Sequence, residues 1–151
     1  MNKKHPDYIV VEGPIGVGKT TLAKRLAKSF NTELMLELAT ENPFLPRFYS
    51  DPKTVALPTQ LFFLFQRAKQ IASFRQKDMF RPIQVSDFLI EKDKLFASVI
   101  LDSDELNLYQ QVYNQLTMDN HAPDLVIYLQ APIETLMRRI MIRGYDYEKA
   151  I

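Results

Sequence analysis

A glycine-rich segment near the amino terminus carries the strongest chemical signal in this sequence. It matches the pattern G-x-x-x-x-G-K-[ST] in full and consists of Gly13, Pro14, Ile15, Gly16, Val17, Gly18, Lys19 and Thr20. Glycines let the backbone turn tightly, so that successive N–H groups point at phosphate oxygens, and the helix that follows adds the positive end of its dipole. We expect Lys19 to reach the β- and γ-phosphates and Thr20 to ligate Mg²⁺, and we count Thr21 with the phosphate-binding residues.

This loop predicts a nucleoside triphosphate site but does not choose between hydrolysis, switching and transfer to a small acceptor. A chance glycine turn is the plain alternative, and the strand pattern before the loop and the helix pattern after it argue against that. A guanine-binding switch needs an Asn-Lys-x-Asp segment, which the sequence lacks. A nucleotide-binding module without catalysis stays open.

Strand and helix patterns alternate along the chain and must position the loop. Strands are predicted over residues 8–11, 33–38, 82–86 and 125–129, and helices over residues 19–30, 54–77, 92–101, 104–116 and 133–143. Residues 42–52 and 144–151 are predicted to be loops, and Pro58 predicts a kink in the long helix or a later start. The alternation predicts an α/β fold with a parallel sheet flanked by helices on both faces.

The length, composition and net charge of the chain limit the class of protein to which it can belong. With 151 residues and 46% hydrophobic residues, one domain spanning residues 1–151 is expected. The net charge of +1 gives no reason to expect a nucleic-acid or membrane partner, and no apolar run is long enough to span a bilayer. The absence of cysteine excludes disulfides and thiol nucleophiles. Together with a polar amino terminus, these features predict a cytoplasmic protein.

Side chains beyond the loop fall at positions where they can act together. Glu37 lies near the end of the predicted second strand, at the sheet edge where ligands of α/β folds bind. Gln60 and Arg67 are seven residues apart and share a helix face. Arg139 and Arg143 are four residues apart and can clamp a phosphoryl group, although a solvated basic helix end is the simpler interpretation.

In this order, these residues resemble the deoxynucleoside kinase family, and most of all its bacterial deoxyguanosine and deoxyadenosine kinase branch. The resemblance rests on residues 13–20, Glu37, Asn42-Pro43-Phe44, Phe48-Tyr49, Gln60 with Arg67, and Arg139 with Arg143. It implies a P-loop NTPase fold, ATP and Mg²⁺ as cofactors, a lid around residues 138–150 and a homodimer. Family members continue for several tens of residues more, so we expect the final strand and helices to be missing from this sequence.

The resemblance also implies a role for each residue. Glu37 matches the general base that accepts the proton of the acceptor hydroxyl, whereas Glu33 and Glu41 do not fit the family's spacing. Lys19, Arg139 and Arg143 would stabilise the phosphoryl group in transfer. For the acceptor, the matching residues are Gln60 against the base, Tyr49 and Glu148 at the sugar, and Phe48 and Phe96 as aromatic walls around the base.

Two departures from the family pattern affect the phosphate contacts. Many members carry an acidic residue, Arg and Ser at the end of the third strand, where this chain has Ser86-Asp87-Phe88. Asp87 is the expected acidic member, helping to hold Mg²⁺, and Arg67 is our hypothesis for the missing arginine's replacement. In the lid, Tyr145 stands where a second arginine often follows the glycine.

The sequence therefore predicts transfer of the γ-phosphoryl group of ATP to the 5′-hydroxyl of a deoxynucleoside, with purines favoured. Gln60 suits adenine, guanine or cytosine, since an amide both donates and accepts. The alternatives are a nucleoside monophosphate kinase of the thymidylate kinase type, for which Arg47 and Arg67 are available, and a module that only binds nucleotide. Apolar helix segments around residues 61–71 and 96–101 offer material for a dimer interface.

Overall fold

Four short strands form a parallel sheet in the order β2-β3-β1-β4. The computed structural model describes residues 6–77 and 83–150. The strands are β1 Tyr8–Glu12, β2 Leu34–Met35, β3 Gln84–Ser86 and β4 Leu125–Tyr128. In β1, Val10 lies opposite Ser86 of β3 and Val126 of β4. This register places the loops after β1, β2 and β3 side by side at the carboxyl edge of the sheet.

Helices cover the two faces of the sheet. They are α1 Lys19–Ser29, α2 Leu45–Ser50, α3 Pro52–Lys77, α4 Glu91–Ile100, α5 Ser103–Thr117 and α6 Ile133–Arg143, with 3₁₀ turns at Ala39–Glu41 and Asp146–Ala150. Ala23 and Ala27 of α1 pack with Val11 and Val85 on one face. A larger core with side chains from α3, α4 and α5 lies on the other face and includes Leu64, Ala97, Tyr109 and Tyr113.

The strand pattern explains why both faces are buried. Ile9, Val10 and Val11 are almost fully buried, although successive side chains of a strand point to opposite faces. A strand buried on both sides is typical of a parallel sheet with helices on each face, and the predicted fold class is therefore confirmed. Within the described residues, no helix combines the length and apolar character needed to cross a membrane.

Several predicted boundaries need correction. The second strand contains only Leu34–Met35, so Glu37 lies two residues beyond it rather than at its end. The long helix begins earlier than expected, at Pro52, and continues through Pro58, so the later start is wrong. Pro52 is tolerated as the first residue of the helix because the N–H that proline lacks has no intrahelical partner there. The predicted third strand begins at Gln84, and Pro82 lies outside the described residues.

Both predicted loops contain helical turns. Residues 42–52 include α2, which has a proline in its first turn. The buried Asn42 holds the start of this helix: its Oδ1 accepts from the N–H of Phe44 at 3.0 Å, and its Nδ2 donates to the carbonyl of Thr59 at 3.2 Å. Residues 144–151 include the 3₁₀ turn Asp146–Ala150, where Glu148 is buried. In each case tertiary contacts order a segment that lacks helical periodicity.

Candidate active site

The glycine-rich loop opens into a cavity of about 1290 Å³ at the carboxyl edge of the sheet. Every residue that the sequence marked as a site candidate lines this cavity. These are Gly13, Pro14, Ile15, Gly16, Val17, Gly18, Lys19, Thr20, Thr21, Glu37, Phe48, Tyr49, Gln60, Arg67, Asp87, Phe96, Arg139, Arg143 and Glu148. The fold thus brings together side chains from more than 130 residues of sequence, and the role of each stays a prediction.

Two glycines of the loop are required by its close approach to the rest of the protein. Gly13 has a φ of 150°, and a Cβ there would lie 2.5 Å from the carbonyl oxygen of Leu129. Gly16 has a φ of 78°, and a Cβ there would lie 3.1 Å from the carbonyl oxygen of Leu136 in α6. Positive φ is unfavourable for residues with a side chain, so the loop conformation depends on glycine at both positions.

Lys19, the first residue of α1, points back along the loop. Its Nζ donates to the carbonyl of Gly13 at 2.8 Å and to that of Pro14 at 3.1 Å. Burial is the main cause that lowers the pKa of Lys19 to about 8; the positive charge of Lys92 acts in the same direction and Glu12 in the opposite direction. The ammonium group is therefore held close to the turn where phosphate oxygens would bind.

Thr20, Asp87 and Glu37 form a chain of hydrogen bonds across the sheet edge. The Thr20 hydroxyl donates to Asp87 Oδ2 at 2.5 Å, and the backbone N–H of Glu37 donates to Asp87 Oδ1 at 2.7 Å. Burial raises the pKa of Asp87, while the Thr20 hydroxyl and Lys19 oppose this. One hydroxyl and one carboxylate suit Mg²⁺, which takes most of its ligands from water and substrate phosphates. In the described part of the chain, no group of three acidic or histidine side chains offers another metal site.

The Glu37 side chain belongs to a buried ion network centred on Arg67. The Arg67 guanidinium donates from Nη2 to Glu37 Oε1 and from Nη1 to Asp93 Oδ1. Its planar group lies between the rings of Phe63, at 5.0 Å, and Phe88, at 5.6 Å. Burial lowers the pKa of Arg67 to about 10, which keeps it charged at neutral pH. Phe88, which replaces the family's arginine, is fully buried and packs against Arg67.

Sequence reasoning missed Asp93, the other carboxylate of this network. It is 1% exposed and lies in the first turn of α4, six residues after Asp87. Its only sequence signal is its position in an acidic helix start, which is common in surface helices. Tyr147 and Lys92 also line the cavity and were not identified from the sequence.

One side of the cavity, which we call the acceptor side, carries the aromatic residues Phe48, Tyr49, Phe96 and Tyr147. Tyr49 stacks on Tyr147 with ring centroids 5.7 Å apart and meets Phe48 edge to face at 5.9 Å. Gln60 is 6% exposed, and its Oε1 accepts no hydrogen bond from the described residues. Phe96 is 48% exposed and is therefore not a core residue. An unpartnered amide oxygen between aromatic walls is suited to reading the edge of a flat heterocycle.

The two arginines of α6 make different contacts. Arg139 Nη1 donates to the carbonyl of Val17 at 3.0 Å, which ties α6 to the glycine-rich loop. Arg143 forms an ion pair with the buried Glu148, with Nε 3.1 Å from Oε2, and lies 5.2 Å over the ring of Tyr145. Both line the cavity, and each is held by partners of its own.

Comparison with known proteins shows which family this chain resembles. The family model described as deoxynucleoside kinase matches residues 9–151. The deoxyguanosine kinase of Bacillus subtilis is 37% identical over 148 residues, covering 95% of this chain and 70% of the relative. The deoxyguanosine kinase of Lactobacillus acidophilus is 33% identical, with coverage of 93% and 64%. A solved deoxyadenosine kinase from M. mycoides with bound dATP has a TM-score of 0.79 and 29% identity, covering 96% of this chain and 75% of that one.

The chain therefore spans 64% to 70% of the length of these two curated relatives. A protein named probable thymidylate kinase 1, from Saccharolobus solfataricus, is a more distant relative at 27% identity, covering 95% of this chain and 75% of that protein. The two deoxyguanosine kinases thus match this chain at higher identity than this protein, whose name fits the monophosphate kinase alternative.

Proposed function

The chain belongs to the deoxynucleoside kinase family, and on this premise we propose that it transfers the γ-phosphoryl group of ATP to the 5′-hydroxyl of a deoxynucleoside. One observation carries the proposal. The Thr20–Asp87–Glu37 chain of hydrogen bonds joins the phosphate-binding loop to the backbone of Glu37, whose carboxylate can accept a proton. Donor and acceptor are thereby held side by side, which supplies most of the catalysis in phosphoryl transfer.

On the donor side, residues 13–21 bind the triphosphate and Lys19 contacts its β- and γ-phosphates. Thr20 and Asp87 would hold Mg²⁺, which would neutralise charge on the phosphate oxygens. Arg139 and Arg143 stabilise the phosphoryl group from the lid side. For Arg143, this requires its ion pair with Glu148 to be exchanged for, or shared with, phosphate oxygens.

On the acceptor side, Glu37 accepts the proton of the 5′-hydroxyl as the new oxygen–phosphorus bond forms. Gln60 bonds the base edge, Tyr49 and Glu148 bond the sugar, and Phe48 and Phe96 form the walls. The unpartnered Oε1 of Gln60 supports a base that presents a donor. We favour a purine, because the relatives from Bacillus subtilis and Lactobacillus acidophilus, at 37% and 33% identity, are named deoxyguanosine kinases.

The structure gives the monophosphate kinase alternative little support. Such an enzyme needs a cation free to bind the acceptor's phosphate. Arg67 is paired with two carboxylates, and Arg47 does not line the cavity. The binding-only alternative differs from the proposal in turnover alone.

We further propose that the protein acts as a homodimer in the cytoplasm. The outer face of α4 exposes Leu95 at 66% and Val99 at 75%, and α3 exposes Phe65 at 53%. Apolar side chains this exposed on neighbouring helices are typical of an interface. Sedimentation of the full-length protein tests the dimer, and a monomer at micromolar concentration would exclude it.

A phosphotransfer screen tests the activity. The full-length protein is incubated with ATP and Mg²⁺ and with each of the four deoxynucleosides or their 5′-monophosphates. We expect the deoxynucleosides to be phosphorylated, with the purines fastest. Faster reaction of the monophosphates would favour the thymidylate kinase type. Tight ATP binding without any transfer would favour the binding-only module.

A further inference from the structure

A second lysine lies in the cavity, and neither the sequence motifs nor the proposed mechanism use it. Lys92 lies in the first turn of α4, and its Nζ is 3.2 Å from Oε1 of Glu12, the last residue of β1. The same ammonium group lies 5.7 Å over the ring of Phe96. The Lys92 side chain is only 20% exposed. It is therefore fixed in the cavity wall by the sheet edge and an aromatic ring.

Glu12 places this ammonium group beside the phosphate-binding loop. Its Oε1 accepts from the N–H of Gly13, the first residue of the loop, at 2.8 Å, and its Oε2 accepts from the N–H of Leu89 at 3.3 Å. The carboxylate thus ties the loop to the segment that leads into α4. Lys92 approaches from α4, whereas Lys19 approaches from α1.

The two lysines are near enough to disfavour each other's charge. Both line the cavity, and Gly13 links them: its N–H donates to Glu12 Oε1, which pairs with Lys92, and its carbonyl accepts from Lys19 Nζ at 2.8 Å. Like charges held together in a partly buried cleft cost free energy, and an anion between them removes that cost. The ion pair with Glu12 alone does not explain why Lys92 lies near a second positive charge, that of Lys19. The arrangement fits a site for a highly charged anion.

Among the described residues, the other cations that line the cavity lie on α1, α3 and α6. Arg67 bonds two carboxylates, and Phe88 points into the core. Arg139 and Arg143 belong to α6, on the lid side. Lys92 is thus the cation that α4 contributes to the wall that also carries Asp93 and Phe96.

We propose that Lys92 is a catalytic residue, whose ammonium group contacts the phosphoryl group in transfer from the α4 wall of the cavity. The inference rests on the proposed function. As the acceptor 5′-oxygen bonds to phosphorus, the bond from phosphorus to the β–γ bridging oxygen breaks, and ADP leaves with its electron pair. Glu37 takes the hydroxyl proton. Negative charge spreads over the three equatorial oxygens, and Lys92 and Lys19 stabilise it together.

Kinetics of a matched pair of variants test the proposal. Lys92→Gln removes the charge, while Lys94→Gln serves as control, because Lys94 lies on the same helix with its Nζ over Tyr113 and outside the cavity. With deoxyguanosine and ATP, we expect kcat of Lys92→Gln to fall about 100-fold, the usual loss when one group that stabilises transition-state charge is removed. Deoxyguanosine binding should be unchanged, Lys92→Arg should recover part of kcat, and Lys94→Gln should match the wild type. Wild-type kcat in Lys92→Gln would overturn the proposal.

A binding measurement separates this inference from the proposed function. Calorimetric titration measures the affinities for ATP and for ADP, and their ratio reports on contacts with the terminal phosphate of ATP in the absence of turnover. We expect Lys92→Gln to lose about tenfold in affinity for ATP and little for ADP, the ordinary size of one charge-assisted hydrogen bond. If the wild type transfers no phosphate, the proposed function fails. If Lys92→Gln has the same ratio of ATP to ADP affinity as the wild type, the proposed contact of Lys92 with the terminal phosphate is refuted. If Lys92→Gln does not fold, Lys92→Met, which keeps the apolar stem, replaces it in both assays.

Discussion

At the scale of single residues, the charged side chains of the site are fixed by ion pairs and by hydrogen bonds. Asp87 joins Thr20 to the backbone of Glu37, and Arg67 joins the side chain of Glu37 to Asp93. The two hydrogen-bonded chains meet at Glu37, whose backbone and side chain are both fixed. In its proposed role as general base, Glu37 would lose little freedom when the acceptor binds.

The first prediction at this scale concerns Glu37. Glu37→Gln is expected to keep deoxynucleoside binding and to lower kcat at least 100-fold, since a general base contributes about 10²- to 10⁴-fold. Steady-state kinetics and equilibrium binding measure the two quantities. Glu33→Gln, a neighbour outside the cavity, should turn over like the wild type. Normal kcat in Glu37→Gln would remove Glu37 from the mechanism.

The second concerns the pH dependence of ATP binding. Because the pKa of Lys19 is about 8, its ammonium group is charged at pH 7 and loses its proton as the pH rises above 8. The charged form binds phosphate, so the Kd for ATP should rise about tenfold between pH 8 and pH 9.3, following one deprotonation. Calorimetry across this range measures it. Lys19→Arg keeps its charge and should show a much flatter profile, and equal slopes would assign the titration to another group.

The third concerns Arg67. Its removal leaves Glu37 and the buried Asp93 as neighbouring carboxylates, so Arg67→Ala is expected to lower the free energy of unfolding by about 3 kcal/mol. Urea unfolding measures this, and Arg67→Ala/Asp93→Ala should recover part of the loss because the uncompensated charge is gone. We also hypothesise that Arg67 replaces the arginine that many family members carry after the position of Asp87. This hypothesis requires that Arg67→Ala has a low kcat and still binds the nucleoside. Wild-type turnover in Arg67→Ala would refute that hypothesis.

At the scale of elements, helices with regular apolar spacing and caps follow from the sequence, while short segments do not. The helix predicted over residues 133–143 is α6, Ile133–Arg143, and a glycine in the left-handed region ends it. By contrast, β2 has only two residues, and α2 has a proline, an arginine and two aromatics instead of an apolar stripe. Such short elements are held by contacts across the fold, and local propensity carries little information about them.

The fourth prediction tests a cap. Asp102 precedes α5, where its side chain accepts from the N–H of Glu105 at 2.9 Å and the Glu105 side chain accepts from the N–H of Asp102. Asp102→Ala should lower the free energy of unfolding by about 1 kcal/mol, a usual loss for a helix N-cap. Chemical denaturation measures it. Asp104→Ala, in the first turn but outside the capping box, should cost clearly less.

At the scale of the whole molecule, the strand order decides which loops share the cavity. The order β2-β3-β1-β4 puts the segment after β2 next to the end of β3, and β3 next to β1. As a result, Glu37, Asp87 and Glu12 lie at one edge although they are far apart in the chain. Helix α3 then brings Gln60 and Arg67 against this edge, and α6 closes the lid side.

The sequence by itself determined the phosphate-binding loop, the α/β fold and many of the residues that line the cavity, but not Asp93, Lys92 or Tyr147. Those signals are local: the glycine-rich pattern, the spacing of Arg139 and Arg143, and the order of Glu37, Tyr49 and Gln60. Only the tertiary structure decided the pairings, such as Arg67 between Glu37 and Asp93, or Lys92 with Glu12. The physical reason is that spacing fixes which residues share one helix face or strand end. Contacts between elements depend on the sheet order and on which buried charges find partners.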